Sequence, residues 1–191
     1  STGNQLISKE ATGGKSVVVI EKGEPKSCNI VTSCEGKGKT FIMFSDDLDK
    51  ALATFVLANG AAATGQKVTI FFTFWGLNVI KKLHKPNVEK DIFGKMFGMM
   101  LPSSSKKLKL SKMSMGGIGG KMMRYIMNKK GIDSLESLRQ QALENGVEFI
   151  ACQMSMDVMG VKREELLDHV TIGGVATYMN RAEQANVNLF I

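Results

Sequence analysis

Short apolar runs alternate with segments of helical periodicity from residue 41 onward. Residues 68–74 form an uninterrupted run rich in β-branched and aromatic side chains, the pattern of a strand buried on both faces of a parallel sheet. Apolar residues between Leu48 and Val56 recur at helical spacing after a capping signal. Further strands are predicted at residues 41–44, 147–152, 169–172 and 187–191, and further helices near residues 76–82, 134–145, 164–168 and 175–182. This alternation predicts a doubly wound, mostly parallel α/β sheet.

The first 39 residues follow a different pattern. Residues 5–9 and 16–21 are β-prone runs joined by Ala-Thr-Gly-Gly, which predicts a small β-hairpin appendage. Residues 25–39 are rich in lysine, glycine and small polar residues, the composition of a linker. We therefore expect a hairpin at residues 1–24, a linker at 25–39 and an α/β domain at 40–191.

Residues 90–130 interrupt the domain with an insertion rich in methionine and lysine. Apolar stripes at residues 92–100 and 122–127 predict two amphipathic helices around a glycine-rich loop. Lysines occupy the other faces of these helices, and methionine side chains adapt to varied contacts. We expect this segment to form an assembly or partner surface rather than only internal core.

The charge of the chain is concentrated in the same region. The formal net charge of the 191 residues is +7, and residues 81–130 contain 13 Lys/Arg against 2 Asp/Glu. Such a segment suits an acidic protein or, less well, a membrane surface. Nucleic acid is not expected as a partner, because the segment lacks interleaved aromatic residues and any known nucleic-acid-binding motif.

The cysteines indicate a reducing environment. Cys28, Cys34 and Cys152 are an odd number, so at least one thiol is unpaired. The longest nearly apolar run covers residues 68–80, too short for a membrane helix, and the N-terminus lacks the order of a signal peptide. These features predict a cytoplasmic protein with a thiol available for chemistry.

Candidate chemistry lies where the predicted strands end. Ligands of parallel α/β sheets bind beyond the carboxyl ends of the strands, near the point where the strand order reverses. The segments there are Ser45-Asp46-Asp47, Trp75-Gly76 and residues 152–157. We expect Cys152 to face this crevice, with a nearby helix N-terminus that favours its thiolate. A buried structural cysteine is the alternative, and Asp46 and Asp47 as simple helix caps are another.

The chain resembles the larger DsrE/DsrF/DsrH-like sulfur-relay proteins from about residue 39 to residue 191. The matching blocks, in order, are SDDLDKALATFVLANGAAATG (45–65), TFWGL (73–77), LKLSKMSMGGIGGKMM (108–123), FIACQMSMDVMGV (149–161), GGVATYM (173–179) and the terminal NLFI. The resemblance implies a flavodoxin-like α/β fold, a homo-oligomer and a cysteine that carries sulfur as a persulfide. The family's cysteine falls on Cys152, and Trp75 and Gly76 fall on a block that looks like the wall around that thiol.

A shorter resemblance covers residues 2–23, which look like the last hairpin of a TusA-type sulfur-carrier domain. The Cys-Pro motif that would carry sulfur there is absent. An ordinary β-hairpin extension is the alternative interpretation.

Together these observations predict a sulfur carrier or sulfurtransferase that holds a persulfide on Cys152 and needs no metal or cofactor. Its expected partners are sulfur-donor and sulfur-acceptor proteins, TusA-like or rhodanese-like by resemblance. The expected supporting residues are Ser155 and Asp157, which would position the persulfide, and Met154, Met156 and Trp75, which would keep it dry. The rival hypothesis is a non-catalytic module that binds an acidic partner or membrane through residues 81–130.

Weaker candidates are few. Residues 115–122 fail the phosphate-loop pattern, because Met115 and Met122 stand where Gly and Ser or Thr are required. The spacing of Cys28 and Cys34 fits neither a redox pair nor a zinc site, although either could resolve a persulfide. A Cys-His dyad would need His84 or His169, and the resemblance supplies no such histidine.

Overall fold

The computed structural model describes residues 7–11, 14–18, 38–83, 92–112 and 115–191, in two compact units, Ser1–Glu35 and Gly36–Ile191. In the first unit, β1 (Ile7–Ala11) pairs with β2 (Gly14–Val18) in antiparallel register. Cys28, Cys34 and the predicted linker up to residue 37 lie outside the described residues. The likeness of residues 2–23 to a TusA-type hairpin stays a prediction.

The second unit is built on a five-stranded parallel sheet. Its strands are β3 (Gly38–Met43), β4 (Val68–Phe72), β5 (Glu148–Cys152), β6 (Thr171–Gly173) and β7 (Ala185–Phe190). They are arranged in the order β6-β5-β4-β3-β7, and every neighbouring pair is parallel. The order therefore reverses at β3, whose neighbours are β4 and β7. This sheet confirms the predicted parallel α/β class.

The strand order differs from that of flavodoxin. Counted within this unit the order is 4-3-2-1-5, whereas flavodoxin has the order 2-1-3-4-5. In both, the first strand of the sheet lies one place in from an edge. Here, however, the outer neighbour of that strand is the last strand of the sheet rather than the second. The likeness to flavodoxin therefore covers the parallel strand direction and the layers of helices, but not the strand order.

Six helices are found among the described residues. They are α1 (Leu48–Ala63), α2 (Ile92–Met100), α3 (Ile118–Lys129), α4 (Leu135–Glu144), α5 (Gln153–Met159) and α6 (Val175–Glu183). At the start of α4 the Ser134 hydroxyl accepts the N–H of Ser137 at 3.2 Å, the bond that a serine N-cap makes. At the start of α1 the Asp47 side chain makes no such bond.

Several predicted elements differ in extent or type. The run at 68–74 is a strand only to Phe72, and the helix predicted near residue 76 is instead a 3-10 segment at Phe74–Ile80. The helix predicted at 164–168 is a short 3-10 turn at Arg163–Glu165, and the last strand begins at Ala185 rather than 187. A helix start near Cys152 was expected, but the bounds of α5 were not predicted, because the residues before it offer no capping signal of the Ser/Thr/Asp/Asn type.

A close backbone approach accounts for the 3-10 segment. The chain leaves β4 through Phe74, whose φ of +48° is in the left-handed region. Gly76 then packs directly on the end of β3, where a Cβ at Gly76 would lie 1.9 Å from the Met43 carbonyl oxygen. Its N–H donates to the Phe44 carbonyl at 2.9 Å. This tight turn over the neighbouring strand replaces the regular helix that the apolar pattern predicts.

The two faces of the sheet are covered unequally. On the first face, Phe72 and Phe149 pack with Phe55 of α1, with ring centroids 5.3 to 6.5 Å apart, in the main core under α1 and α4. On the second face a smaller cluster consists of Phe71, Ile150, Cys152 and Tyr178 of α6. The side-chain alternation of β4 and β5 therefore sends consecutive residues into cores of very different size.

The insertion is attached to the domain by a polar network. Arg124 of α3 donates to the Glu136 carboxylate of α4 at 3.0 Å and to the Ser105 carbonyl at 2.9 Å. The Ser105 hydroxyl donates to the same carboxylate at 3.0 Å. The two helices of the insertion, α2 and α3, nevertheless leave apolar side chains exposed. These are Ile92, Met96, Met99 and Met100 on α2, and Ile118, Met122, Tyr125 and Ile126 on α3.

Candidate functional site

The carboxyl ends of β3, β4 and β5 lie along one edge of the sheet. The segments that follow them are Ser45-Asp46-Asp47, Thr73 to Gly76, and Cys152 to Asp157. The structure thus brings the three predicted segments to one edge of the domain. It also separates them, because β5 is two places from β3, where the strand order reverses. The sequence led us to expect Cys152 near the reversal point. In the structure it lies two strands away from that point.

The Cys152 thiol is buried. Only 2% of the residue is exposed, and its neighbours in the small core are Phe71, Ile150 and Tyr178. The expectation that this thiol faces an open crevice is wrong. The reason is strand geometry: Cys152 shares a face with Ile150, two residues earlier, so its side chain points into the layer beneath α6.

Two features distinguish the surroundings of this thiol. Cys152 is also the N-cap residue of α5, and its side chain makes no capping bond. Its register partner on β6 is Gly173, which has no side chain. A Cβ at Gly173 would lie 3.0 Å from Ile150 and 3.3 Å from Thr177, so glycine allows the start of α6 to approach the sheet closely. The thiol thus lies under a single thin helical layer.

The residues predicted to support a persulfide lie in three different environments. Ser155 is fully buried, and its hydroxyl pairs with that of Thr73 at 2.8 Å. Met154 is exposed, and Asp157 accepts a hydrogen bond from Gln153 at 2.9 Å on the outer side of α5. Met156 is buried in the core of the first face. Among the described residues, no side-chain hydrogen bond joins Cys152 to any of them, so their supporting roles stay predictions.

Trp75 and Gly76 lie at the end of β3. Gly76 is required by the close approach to Met43, and Trp75 projects outward with 43% of its surface exposed. Trp75 lines a cavity of about 650 Å³ that Cys152 does not line. The prediction that Trp75 and Gly76 form a wall around the thiol therefore stays a prediction.

The cavity beside Trp75 has a mixed lining. Its residues are Asp46, Asp47, Trp75, Gly98, Met99, Met100, Leu101, Pro102, Ser103, Lys107, Lys109 and Leu110. Burial raises the pKa of the Asp46 carboxyl above its usual range, although the Asn78 amide donates to it at 3.0 Å. Asp47 is bonded to the Ser45 hydroxyl at 2.8 Å and paired with Lys50 at 2.8 Å.

Sequence reasoning placed Asp46 and Asp47 in a candidate segment at a strand end, with simple helix caps as the alternative, and missed Asn78, Lys107 and Lys109. Asn78 carried a signal, since it is a polar residue inside the apolar run that follows β4. Lys107 and Lys109 carried none, because they reach the cavity from a loop some 60 positions after Asp46 in the chain.

Other candidates receive no support from their placement. His169 is exposed next to Asp168 on the surface, and His84 lies outside the described residues. In the glycine-rich loop, Gly116 and Gly117 have positive φ angles and precede α3. Across the described parts of the chain, no group of three or more His, Cys, Asp or Glu side chains is arranged to hold a metal ion.

Comparison with known proteins identifies the family. The model of the DsrE/DsrF/DrsH-like family matches residues 36–190. The chain is 46% identical over 155 residues to the protein YrkE of Bacillus subtilis, which covers 81% of this chain and 97% of YrkE. It is 37% identical over 161 residues to the sulfur carrier protein DsrE2 of Allochromatium vinosum. This match covers 82% of this chain and 99% of DsrE2.

Among solved structures, the chain is similar to the YchN protein of E. coli. The TM-score is 0.48 at 11% sequence identity, over 81% of this chain and 99% of YchN. The family model matches the α/β unit, and two relatives match it over nearly their whole length. This chain therefore belongs to the DsrE/DsrF/DrsH-like family.

Proposed function

We propose that this protein is a sulfur carrier that accepts sulfur as a persulfide on Cys152 and passes it to an acceptor thiol. The observation that carries the proposal is the position of Cys152, the one cysteine in the sequence of residues 36–191, at the carboxyl end of an inner strand. Membership of the family and likeness to a protein named a sulfur carrier give it further support.

The chemistry is an exchange at sulfur. The Cys152 thiolate attacks the outer sulfur of a donor persulfide, R–S–SH, and forms Cys152–S–SH while the donor leaves as a thiolate. An acceptor thiolate then attacks the same outer sulfur, and Cys152 leaves as a thiolate. Each step breaks one S–S bond and forms one, so no external oxidant or reductant is required.

The burial of Cys152 suits storage. Phe71, Ile150 and Tyr178 surround the thiol with apolar and aromatic groups, which keep water and competing thiols from the outer sulfur. Loading and unloading then require access from the second face, where α6 is the cover. The donor and acceptor in this proposal are proteins of the TusA-like or rhodanese-like type, in the cytoplasm, where thiols stay reduced.

The second face also carries the surface that would assemble subunits. Val175 and Met179 of α6 and Phe190 of β7, which is in register with Ile42 beside the small core, are apolar and exposed. Exposed apolar groups on neighbouring elements mark a protein contact surface. In the proposal, this α6 face forms a homo-oligomer contact and adds a second layer over Cys152.

Mass spectrometry of the intact protein after treatment with inorganic polysulfide tests the proposal. The wild type should gain one sulfur atom, reversed by a thiol reductant, and peptide analysis should place it on Cys152. Cys152→Ser removes only the reactive atom and should abolish this gain. The matched control, Cys28→Ser/Cys34→Ser, should load like the wild type. Loading that persists in Cys152→Ser and disappears in the control would refute the assignment.

A second candidate function is favoured by the exposed stripes on α2 and α3. Met122 and Tyr125 are exposed apolar residues next to the exposed Lys121, and Lys129 and Lys130 follow at the end of the helix. This combination suits an acidic protein partner. Within the described residues, no helix has the length and apolar character to span a bilayer. Lys121→Glu/Lys129→Glu should abolish capture of such a partner and leave sulfur loading unchanged.

A further inference from the structure

The cavity beside Trp75 occupies the position where parallel α/β sheets bind ligands. It lies beyond the carboxyl end of β3, where the strand order reverses. Its volume of about 650 Å³ is within the range of small-molecule sites. Cys152 is not among the lining residues, so a ligand in this cavity would not touch the proposed carrier thiol.

The lining combines groups of opposite charge with soft apolar groups. Asp46 and Asp47 contribute carboxylates from the end of β3, and Lys107 and Lys109 contribute ammonium groups from the loop before α3. The walls between them include Trp75, Met99, Met100 and Pro102. A ligand that matches this lining carries an ammonium group, a carboxylate and a polarisable body.

Of the two carboxylates Asp46 is the more weakly partnered, although the charge of Lys81 also acts on it. Its side-chain hydrogen bond comes from the neutral Asn78 amide, and no ion pair of Asp46 is found within the described residues. Asp47, in contrast, already pairs with Lys50. Half-buried without a salt-bridge partner, the Asp46 carboxylate gains most from an ammonium group supplied by a ligand.

The buried amide next to Asp46 adds a second observation. Asn78 is fully buried, and within the described residues its Oδ1 atom has no hydrogen-bond partner. The amide Nδ2 atom is committed to Asp46. A buried acceptor without a partner thus lies directly behind the half-buried carboxylate that lines the cavity, although Asn78 itself is not a lining residue.

We propose that this cavity binds a zwitterionic thiol of low molecular mass, of the cysteine or glutathione class. Its ammonium group pairs with Asp46, its carboxylate pairs with Lys107 and Lys109, and its sulfur and carbon chain contact Trp75 and the methionines. The choice of a thiol among zwitterions rests on the proposed function. The preference for a zwitterion rests on the lining alone.

Trp75 is the only tryptophan of the chain, so its fluorescence reports on this cavity without labelling. We would titrate the Cys152→Ser variant of this 191-residue chain with reduced glutathione and with cysteine, since this variant binds without sulfur exchange. The expected result is a saturable change in emission, confirmed by calorimetry. N-acetylcysteine, which lacks the ammonium group, should bind at least tenfold more weakly than cysteine. Serine, which has oxygen in place of sulfur, should also bind more weakly.

Substitutions in the cavity complete the test. Asp46→Asn keeps the shape and the contact with Asn78, and Lys107→Ala/Lys109→Ala changes exposed side chains that the fold does not need. Each should raise the dissociation constant for glutathione at least tenfold. The matched controls, Asp168→Asn and Lys129→Ala/Lys130→Ala, remove the same charges elsewhere on the surface and should bind like the parent. Circular dichroism verifies that each variant is folded.

Three results would overturn the proposal: no saturable signal, equal binding by the Asp46→Asn variant, or equal binding of cysteine and N-acetylcysteine. Equal binding of serine and cysteine would overturn the thiol assignment. The outcome is separate from that of the sulfur-loading experiment. Loss of polysulfide loading with intact glutathione binding would refute the carrier function alone, and the reverse result would refute this site alone.

Discussion

The two faces of the sheet divide the domain into a stable half and a thinly covered half. The first face holds a continuous core under α1 and α4, with Phe55, Phe72 and Phe149 in mutual contact. The second face is covered by the nine residues of α6, of which Tyr178 is buried and Val175 and Met179 are exposed. The proposed function requires the Cys152 thiol to be reached and then protected, and this thiol lies on the face where opening requires the least disruption of the core.

The largest expected effect is on the first face. Phe149→Ala should lower the free energy of unfolding by about 3–5 kcal/mol, because it leaves a cavity between Phe55 and Phe72 in the main core. Phe190→Ala removes a ring that is 68% exposed and should cost less than about 1 kcal/mol. Chemical denaturation measures both values. Equal losses would show that the two faces do not differ in this way.

The next effect concerns the turn that follows β4 and packs on the end of β3. Gly76→Ala should lower the free energy of unfolding by roughly 2–3 kcal/mol, because the new methyl group meets the backbone carbonyl of Met43. Trp75 should also shift its emission, since the turn that positions it must move. Gly60→Ala is the control, because open space surrounds Gly60 in α1. It should raise stability by about 0.5–1 kcal/mol. A neutral Gly76→Ala variant would contradict the close approach.

A smaller effect is expected for subunit association through the α6 face. Val175→Asp should weaken association at least tenfold, about 1.4 kcal/mol, because the interface would bury a carboxylate without a partner. Val56→Asp, at an equally exposed valine on α1, should leave association unchanged. Sedimentation velocity compares the two. Dissociation of the α1 variant alone would place the contact on the first face.

The smallest effect is the pH dependence of the attachment of α6. Arg181 of α6 donates to both carboxylate oxygens of Glu148 on β5, at 2.8 and 3.1 Å, and these bonds hold the pKa of Glu148 below its usual range. A lowered pKa stabilises the fold above the unfolded-state value of about 4.3, and this contribution disappears as the pH falls through the folded-state value.

Glu148→Gln should therefore cost about 0.5–1 kcal/mol at pH 7, because the pair is partly exposed. The difference from wild type should shrink between about pH 5 and pH 3. Thermal unfolding across this range measures it. A difference that does not depend on pH would mean that the pair contributes through packing rather than charge.

The sequence predicted the strands well, because buried parallel strands are apolar runs bounded by polar turns. It also placed Cys152 correctly at the end of β5. It could not show which face the thiol joins, since Phe149, Ile150 and Ala151 are all apolar and a strand buried on both sides has no alternation to read.

Elements that depend on long-range contacts were less predictable. The 3-10 segment follows from one contact between Gly76 and Met43, and apolar periodicity alone does not distinguish it from a helix. The cavity combines Asp46 with lysines far along the chain, a juxtaposition that local pattern cannot reveal.

The pairing of β3 with β7 has a consequence for folding during synthesis. Thr40 and Asn188 meet across this pair although 148 positions separate them in the chain. On its other side β3 can pair with β4 as soon as α1 and β4 have been made. The second edge of β3 stays unpaired until β7 leaves the ribosome. Throughout that interval an apolar inner strand presents a free edge, so completion of the sheet is a late event that depends on the most distant contact in the domain.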